Sequence, residues 1–204
     1  MKIICIGRNY KEHIRELAND LPEEPVLFLK PESALLLNNG PFCIPAFSND
    51  LHYECELVVR IKRTGSKIDS LKADQYYDEI GLGIDFTARD LQSKLKEKGL
   101  PWEKSKAFDN SAVVGSDFIQ KGELPDINSI KFELRRNGVV VQRGDSALMI
   151  FPIDEIISHI SGYFTLNVGD MIYTGTPAGV GAVRAGDRLE GFLEGRKIFD
   201  FACK

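Results

Sequence analysis

The stretch HYECELVVRI, residues 52–61, opens an apolar strand with two carboxylates. Successive side chains of a strand point to opposite sides, so Glu54 and Glu56 share one face. Two glutamates facing water would give this pattern, but the run LVVRI indicates a strand that enters the core. Carboxylates beside a core need a cation. The fold must therefore supply a positive charge next to this strand, and a hard divalent metal ion would be one.

Strand patterns are more frequent in this chain than helix patterns, and the two do not alternate regularly. SIKFELRRNGVVVQRG predicts a hairpin, because Asn137-Gly138 suits a type I′ turn between two alternating strands. DRLEGFLEGRKIFDFA predicts two more strands with a break at Glu194-Gly195. This order favours an α+β fold, mainly β, with mixed sheets and few short helices, and it disfavours a doubly wound parallel sheet.

Three segments have helical periodicity. NYKEHIREL carries an apolar stripe, with Asn9 as its predicted cap. A second helix is predicted from Ala88 to Lys98, with Thr87 as its cap. PIDEIISHIS has isoleucines at helical intervals and predicts a helix against the core.

Length and composition limit the classes of function. A chain of 204 residues fits a single catalytic domain over residues 1–204. A net charge of −4 gives no basic surface for nucleic acid. The four cysteines form no C-x-x-C pair, which favours reduced thiols over a zinc cluster. The apolar run of MKIICIGRNY is too short for a signal peptide or a membrane span, so we expect a soluble, cytoplasmic protein.

A third carboxylate, Asp85 in GLGIDFTARD, ends an apolar and glycine-rich strand. A polar residue at that point indicates function more than core packing. Taken alone, Asp85 is about as suited to cap a helix or pair with Arg89 as to bind a metal ion. Mg²⁺ and Mn²⁺ usually bind two or three carboxylates together with water and substrate oxygens. Glu54, Glu56 and Asp85 are therefore candidate ligands for one of these ions.

His13 and Glu16 are candidates for acid–base chemistry. They lie three positions apart on the first predicted helix, so the carboxylate can touch and orient the imidazole. The same H-x-x-E spacing is also typical of a solvated surface pair, and it is not the H-E-x-x-H of zinc proteases. His159, among isoleucines, is predicted to be half-buried and structural. His52 is either a neighbour of the metal site or part of a strand edge.

Two further stretches carry groups that an anionic ligand would need. Lys104 and Lys106 are surface charges unless one of them points at the metal site, where it would neutralise an anionic substrate. The backbone N–H groups of TGTPAGVG, residues 174–181, are suited to hold a carboxylate. This stretch lacks the Lys and Ser/Thr of a phosphate loop, so nucleotide binding is not predicted.

Six sequence blocks, taken in order, resemble the fumarylacetoacetate hydrolase family. They are GRNYKEH, LFLKP, HYECEL, DFTARDLQ, KGLPWEKSKAFD and TGTPAGVG, and they extend over nearly the whole chain. The chain is most similar to the small acylpyruvate hydrolase and oxaloacetate decarboxylase branch. The resemblance implies a mixed, largely β fold like the C-terminal domain of fumarylacetoacetase, and usually a homodimer. Cys55 between the glutamates, and KAFDNSAVVG where a proline is more usual, depart from the family pattern and bear on the substrate pocket.

The same resemblance implies roles for individual residues. The implied ligands for Mg²⁺ or Mn²⁺ are Glu54, Glu56 and Asp85. The implied catalytic residues are His13, Glu16 and Lys106, the first two on a lid helix over residues 9–18. The implied substrate-binding residues are Arg89, Gln92 and Thr176.

The activity that the resemblance implies is cleavage of a C–C bond in small, anionic 2-oxo acids of the acylpyruvate type. Decarboxylation of oxaloacetate passes through the same pyruvate enolate, so these motifs do not identify the substrate. An isomerase or decarboxylase of unsaturated dicarboxylic acids in aromatic catabolism is the alternative within the family. A non-catalytic metal-binding module is the alternative outside it. A glycosidase is disfavoured, because two carboxylates on one strand face do not flank a scissile bond.

Overall fold

The computed structural model describes residues 1–37 and 39–204. The strands in this range are β1 (Ile3–Gly7), β2 (Val26–Lys30), β3 (Leu35–Leu36), β4 (Leu51–Tyr53), β5 (Cys55–Ile61), β6 (Tyr77–Asp85), β7 (Thr87–Ala88), β8 (Ala112–Val114), β9 (Ile119–Gln120), β10 (Lys131–Arg136), β11 (Val139–Asp145), β12 (Met171–Tyr173), β13 (Gly181–Ala182), β14 (Arg188–Leu193) and β15 (Arg196–Ala202). The helices are α1 (Lys11–Glu16), α2 (Arg89–Glu97), α3 (Glu103–Lys106) and α4 (Ile153–Tyr163). None of the helices in the described range is long and apolar enough to cross a membrane.

The largest sheet is mixed, with its strands in the order β2-β1-β12-β5-β6-β8-β3 and β9 beside β6. The pairs β1–β12 and β3–β8 are parallel, whereas β5 pairs antiparallel with both β6 and β12. Almost every residue of β5 is buried. Its side chains read as a continuous apolar run because both faces of the sheet are covered. The α+β prediction with mixed sheets is confirmed.

A second sheet, in the order β11-β10-β14-β15, is formed by the two predicted strand pairs. Asn137 and Gly138 have φ of 54° and 79°, the left-handed values that a type I′ turn requires. Glu194 and Gly195 at the second break also have positive φ, 47° and 76°. The predicted hairpin at Asn137-Gly138 and the predicted break between two strands at Glu194-Gly195 are both confirmed, since turn chemistry is a local property of the sequence.

The predicted strand over residues 52–61 is two strands that belong to different sheets. β4 lies in a small third sheet between β13 and β7, whereas β5 lies in the large sheet. Glu54 belongs to neither strand and forms the junction between them. The prediction of one continuous strand is therefore wrong at Glu54, because two sheets compete for the backbone on its two sides.

Two predicted helix caps are also wrong. Asn9 does not cap α1. Its buried amide group instead donates to the carbonyls of Phe151 and Thr174, 3.0 and 2.8 Å away. Thr87 lies in β7, paired with β4, and α2 begins only after Ala88. The local pattern failed in both cases because of a tertiary contact. The side chain of Asn9 binds distant carbonyls, and the backbone of Thr87 pairs with β4.

The helix predicted from the isoleucines is confirmed as α4, which buries Ile153, Ile156, Ile157 and Ile160 in the core. His159 is half-buried on the same helix, with its ring 5.2 Å from that of Tyr163. The cysteines are free thiols, as predicted.

Candidate active site

The register between β5 and β6 brings the predicted carboxylates together. Glu56 pairs with Gly83, and the backbone N–H of Asp85 donates to the carbonyl of Glu54 at 2.8 Å. One ligand oxygen from each of Glu54, Glu56 and Asp85 lies within 4.8 Å of the others. The three residues are only 4%, 2% and 1% exposed. Burying three carboxylates so close together is costly unless cations compensate their charge.

Lys106, at the end of α3, supplies part of that compensation. Its Nζ donates to Glu54 Oε2 and to Asp85 Oδ2, each at 2.7 Å. Burial opposes the charge of the ammonium group, but the charges of Asp85 and Glu54 raise the pKa of Lys106 above its usual value. Lys104, the other candidate, is exposed. The sequence did not determine which of the two lysines points at the candidate metal site, and the structure shows that it is Lys106.

Arg89 approaches the site from the first turn of α2. Its guanidinium donates to Glu54 Oε1 and, at 2.7 Å, to Gln92 Oε1. Burial disfavours the carboxylate form of Glu54, but Lys106 and Arg89 together hold the pKa of Glu54 well below its usual range. Glu54 is therefore an anion with two cationic partners.

Glu56 has a different environment from Glu54. Its Oε2 accepts the backbone N–H of Gly175 at 2.7 Å, and no basic side chain of the described residues forms an ion pair with it. Burial, followed by the charges of Asp85 and Glu54, raises the pKa of Glu56 well above its usual range. The site is short of positive charge at Glu56.

These residues fit a divalent cation. Asp85 Oδ1 is buried and accepts no hydrogen bond, although Lys30 Nζ lies 2.7 Å away. The donors of Lys30 are directed at the Lys106 carbonyl and at Ser111 instead. The carboxylate of Glu56 and the Oδ1 atom of Asp85 thus accept no hydrogen bond from a described cationic side chain. The ligand set consists of carboxylates only. Such a set matches Mg²⁺ or Mn²⁺ better than softer metals.

His13 is buried on α1 and lines the same pocket. Its Nδ1 lies 3.0 Å from Glu16 Oε2, so the predicted pair is in contact and is not fully solvated. The other oxygen of Glu16 accepts the backbone N–H of Gly179 at 3.0 Å. The loop 174–181 was predicted to hold a carboxylate, and two of its N–H groups do hold the protein's own carboxylates, Glu16 and Glu56.

Gln142 is a buried residue of the site that the sequence analysis missed. Its Oε1 accepts the N–H of Cys55 at 3.0 Å, and its Nε2 donates to Thr176 Oγ1 at 2.9 Å. Thr176 Oγ1 in turn donates to the Cys55 carbonyl at 2.9 Å. Gln142 therefore connects the backbone between the two glutamates to the predicted substrate-binding threonine. A glutamine within the alternating pattern of a hairpin strand gives no signal for this role.

The pocket contains most of the predicted site residues. Its lining includes His13, Glu54, Glu56, Asp85, Arg89, Gln92, Lys106 and Thr176. Arg8, Lys96 and Trp102 also line it and were not predicted. Lys96 follows Arg89 and Gln92 at helical intervals on α2, a signal that was available in the sequence. His52, by contrast, lies in β4 and pairs with Asp50 at 2.9 Å.

The chain is similar to several known proteins over most of its length. A family model described as fumarylacetoacetate (FAA) hydrolase C-terminal matches residues 2–198. The mitochondrial oxaloacetate tautomerase of Rattus norvegicus is 42% identical over 193 residues, 95% of this chain and 87% of that protein. The mitochondrial oxaloacetate decarboxylase of Dictyostelium discoideum is 42% identical over 190 residues, 93% of this chain and 87% of that protein. The structure of fumarylpyruvate hydrolase from Pseudomonas aeruginosa with Mn²⁺ and pyruvate has a TM-score of 0.93 at 34% identity, covering 100% of this chain and 89% of that one.

Proposed function

The chain belongs to the fumarylacetoacetate hydrolase family, and from this premise we propose that it is a Mg²⁺- or Mn²⁺-dependent enzyme that acts on small 2-oxo acids. The reaction is hydrolysis of the C–C bond of an acylpyruvate-type acid, and oxaloacetate is a second substrate of the same site. One observation carries the proposal: three buried carboxylates lie in the same pocket as His13, and Glu16 contacts the imidazole of His13. Metal binding alone would not need that pair.

The carboxylates of Glu54, Glu56 and Asp85 would hold the metal ion. When bound, the ion supplies a Lewis acid that polarises the 2-oxo group and lowers the energy of the developing enolate charge. Lys106 lies beside two of these carboxylates and is a fixed positive charge for the carboxylate of the substrate. Arg89 and Gln92 present donors from the neighbouring helix.

His13 is the proposed base. Glu16 contacts Nδ1, so Nε2 is the basic nitrogen of the neutral ring. In hydrolysis, Nε2 removes a proton from water as the oxygen adds to the distal carbonyl. The C–C bond then breaks, and the pyruvate enolate takes a proton at C3. With oxaloacetate, the same nitrogen removes a proton from C3 to give the enolate, and the protonated ring then returns that proton to the 2-oxo oxygen to give the enol. One base therefore serves both substrates.

Helix α1 acts as a lid in this proposal. The cavity volume of the pocket is about 40 Å³, where a single bound water needs about 10–15 Å³ on the same measure. A 2-oxo acid needs more room than this. We therefore expect α1 to move outwards when substrate enters and to return His13 to the pocket afterwards.

The proposal is tested by following the loss of enol absorbance of acetylpyruvate and oxaloacetate with Mg²⁺, with Mn²⁺ and with a chelator. Metal-dependent turnover that is lost in Glu56→Gln and kept in Glu79→Gln supports it. Glu79 is a suitable control because it lies on β6 and forms an ion pair with Arg60 instead of lining the pocket. Tight metal binding without turnover of either substrate would contradict it.

Two alternatives give different results in the same assay. An isomerase of unsaturated dicarboxylic acids would convert those diacids and leave acetylpyruvate unchanged. A non-catalytic metal-binding module would bind the ion with equal affinity in wild type and His13→Ala and turn over none of the compounds.

A further inference from the structure

Two cationic side chains in the pocket have no role in the proposed reaction. They are Arg8, which follows β1, and Lys96, on α2. Arg8 has a φ of 59°, a left-handed conformation that costs a non-glycine residue free energy. Its Nε is buried and has no hydrogen-bond partner within residues 1–37 and 39–204. The backbone therefore places Arg8 in the pocket without the compensation of an internal ion pair among the described residues.

Lys96 is similarly short of partners. Its Nζ has one long contact to Asn19 Oδ1, at 3.4 Å, and lies 5.4 Å from the centre of the Trp102 ring. None of the described carboxylates forms an ion pair with it. Burial, followed by the positive charges of Arg8 and Arg89, lowers the pKa of Lys96. Arg8 and Lys96 line the same pocket, so an anion bound between them would offset the charge of both.

The charge balance of the pocket also indicates that an additional anion would bind there. Three carboxylates line it against four cationic side chains, Arg8, Arg89, Lys96 and Lys106. A divalent ion at the carboxylates would add two more positive charges. A ligand with a single carboxylate would leave much of the excess positive charge of the pocket uncompensated. A ligand with two carboxylates would compensate more of that charge.

We propose that Arg8 and Lys96 form a second anion-binding subsite, which binds the distal carboxylate of a dicarboxylic 2-oxo acid. The inference rests on the proposed function, because the first carboxylate and the 2-oxo group are those bound beside Glu54, Glu56 and Asp85. It selects one substrate class within that function: dianions such as oxaloacetate and unsaturated 2-oxo diacids are preferred to monoanions such as acetylpyruvate.

Binding of unreactive ligands to the Mn²⁺-loaded protein, measured by isothermal titration calorimetry, tests this subsite. 2-Oxoglutarate and 2-oxopentanoate have the same chain length and differ in the distal carboxylate, as do 2-oxoadipate and 2-oxohexanoate. We expect the dianion to bind about tenfold or more tightly in at least one pair, the usual effect of a charged hydrogen bond. The preference should fall to near unity in Lys96→Met and in Arg8→Gln. Lys94→Met, on the exposed face of the same helix, is the matched control and should keep it.

Oxalate separates a failure of this inference from a failure of the proposed function. It has only two carbons and engages only the metal end of the pocket, so its affinity should be equal in wild type and Lys96→Met. If oxalate binds but both pairs bind equally, or if the preference persists in both variants, the second subsite is wrong and the proposed function stands. If the Mn²⁺-loaded wild type binds neither oxalate nor any 2-oxo acid, the proposed function fails, and the subsite fails with it.

Discussion

Gly179 donates its backbone N–H to the carboxylate of Glu16 at 3.0 Å, although the two residues are 163 positions apart. The second oxygen of the same carboxylate contacts His13. One side chain therefore orients the imidazole and holds α1 against the loop 174–181. Gly179 has a φ of +98°, and a Cβ at this position would lie 2.4 Å from the Val141 carbonyl oxygen. Only glycine fits there, so the position of α1 depends on this residue.

Replacing Glu16 with Gln should lower kcat and leave the metal affinity unchanged. The amide keeps the size of the side chain but stabilises the protonated imidazole less, so part of the roughly 10²–10⁴-fold contribution of a general base is lost. Steady-state kinetics and calorimetry with Mn²⁺ give the two values. Glu12→Gln changes an exposed carboxylate on the same helix and should behave as wild type. Equal kcat in both variants would contradict the orienting role.

His13→Ala should remove most of the turnover, by about 10²–10⁴-fold, because it deletes the proposed general base. The three carboxylates remain, so Mn²⁺ should bind as in wild type. Single-turnover kinetics and metal titration measure the two effects separately. Turnover within about threefold of wild type would exclude His13 as the base.

Glu56→Gln should weaken Mn²⁺ binding by more than about 100-fold, since loss of a ligand exceeds the 10–100-fold typical for loss of a ligand's hydrogen-bond partner. Without metal, the variant should be at least as stable as wild type at neutral pH, because a buried carboxyl with a raised pKa is better tolerated neutral. Metal titration and thermal unfolding in chelator test both statements. A less stable metal-free variant would show that Glu56 is already compensated.

Gln142→Leu should lower the free energy of unfolding by about 2–4 kcal/mol, because it leaves the buried N–H of Cys55 and the hydroxyl of Thr176 without their partner. Gln142→Glu has nearly the same shape, but its carboxyl group can donate to Thr176 only when it is protonated. This variant therefore separates the effect of side-chain shape on stability from the effect of the hydrogen bond. Urea denaturation measures the change. Gln120→Leu, at an exposed position on β9, is the control and should cost much less.

The environment of Asp90 predicts that the free energy of unfolding depends on pH. Burial opposes its charge, but hydrogen bonds from the Ser48 hydroxyl and from the backbone N–H groups of Asn49 and Leu91 together lower the pKa of its carboxyl. The unfolded chain therefore binds the proton more readily, near the ordinary pKa of about 3.9. The stabilisation is complete above that pH and is lost as the pH falls through the lower folded value.

Asp90→Asn should consequently cost about 1 kcal/mol at pH 7, and this cost should shrink as the pH falls through the lowered pKa of the folded carboxyl. Chemical denaturation at several pH values measures the difference. Asp109→Asn, in an exposed turn, should show no such pH dependence. A cost for Asp90→Asn that is constant with pH would mean that charge is not involved.

Local patterns in the sequence predicted the elements whose conformation depends on near neighbours. The hairpin at Asn137-Gly138 depends on two left-handed residues, and α4 depends on isoleucines at helical spacing. Both follow from turn chemistry and hydrophobic periodicity. The cap predicted at Asn9 failed because Phe151 and Thr174, distant in the sequence, offer its amide buried carbonyls.

The sequence by itself determined the chemical groups of the site: the carboxylates of Glu54, Glu56 and Asp85 and the H-x-x-E pair on α1. Only the tertiary structure decided which cations accompany them. Lys106 reaches the carboxylates and Lys104 does not, and Lys96 enters the pocket beside Arg8. Residue types and periodicity can be read from residues that are adjacent in the sequence. The contacts between cationic side chains and the site instead depend on the register of β5 against β6 and on the packing of α2 and α3. Such distances are set only when the whole chain has folded.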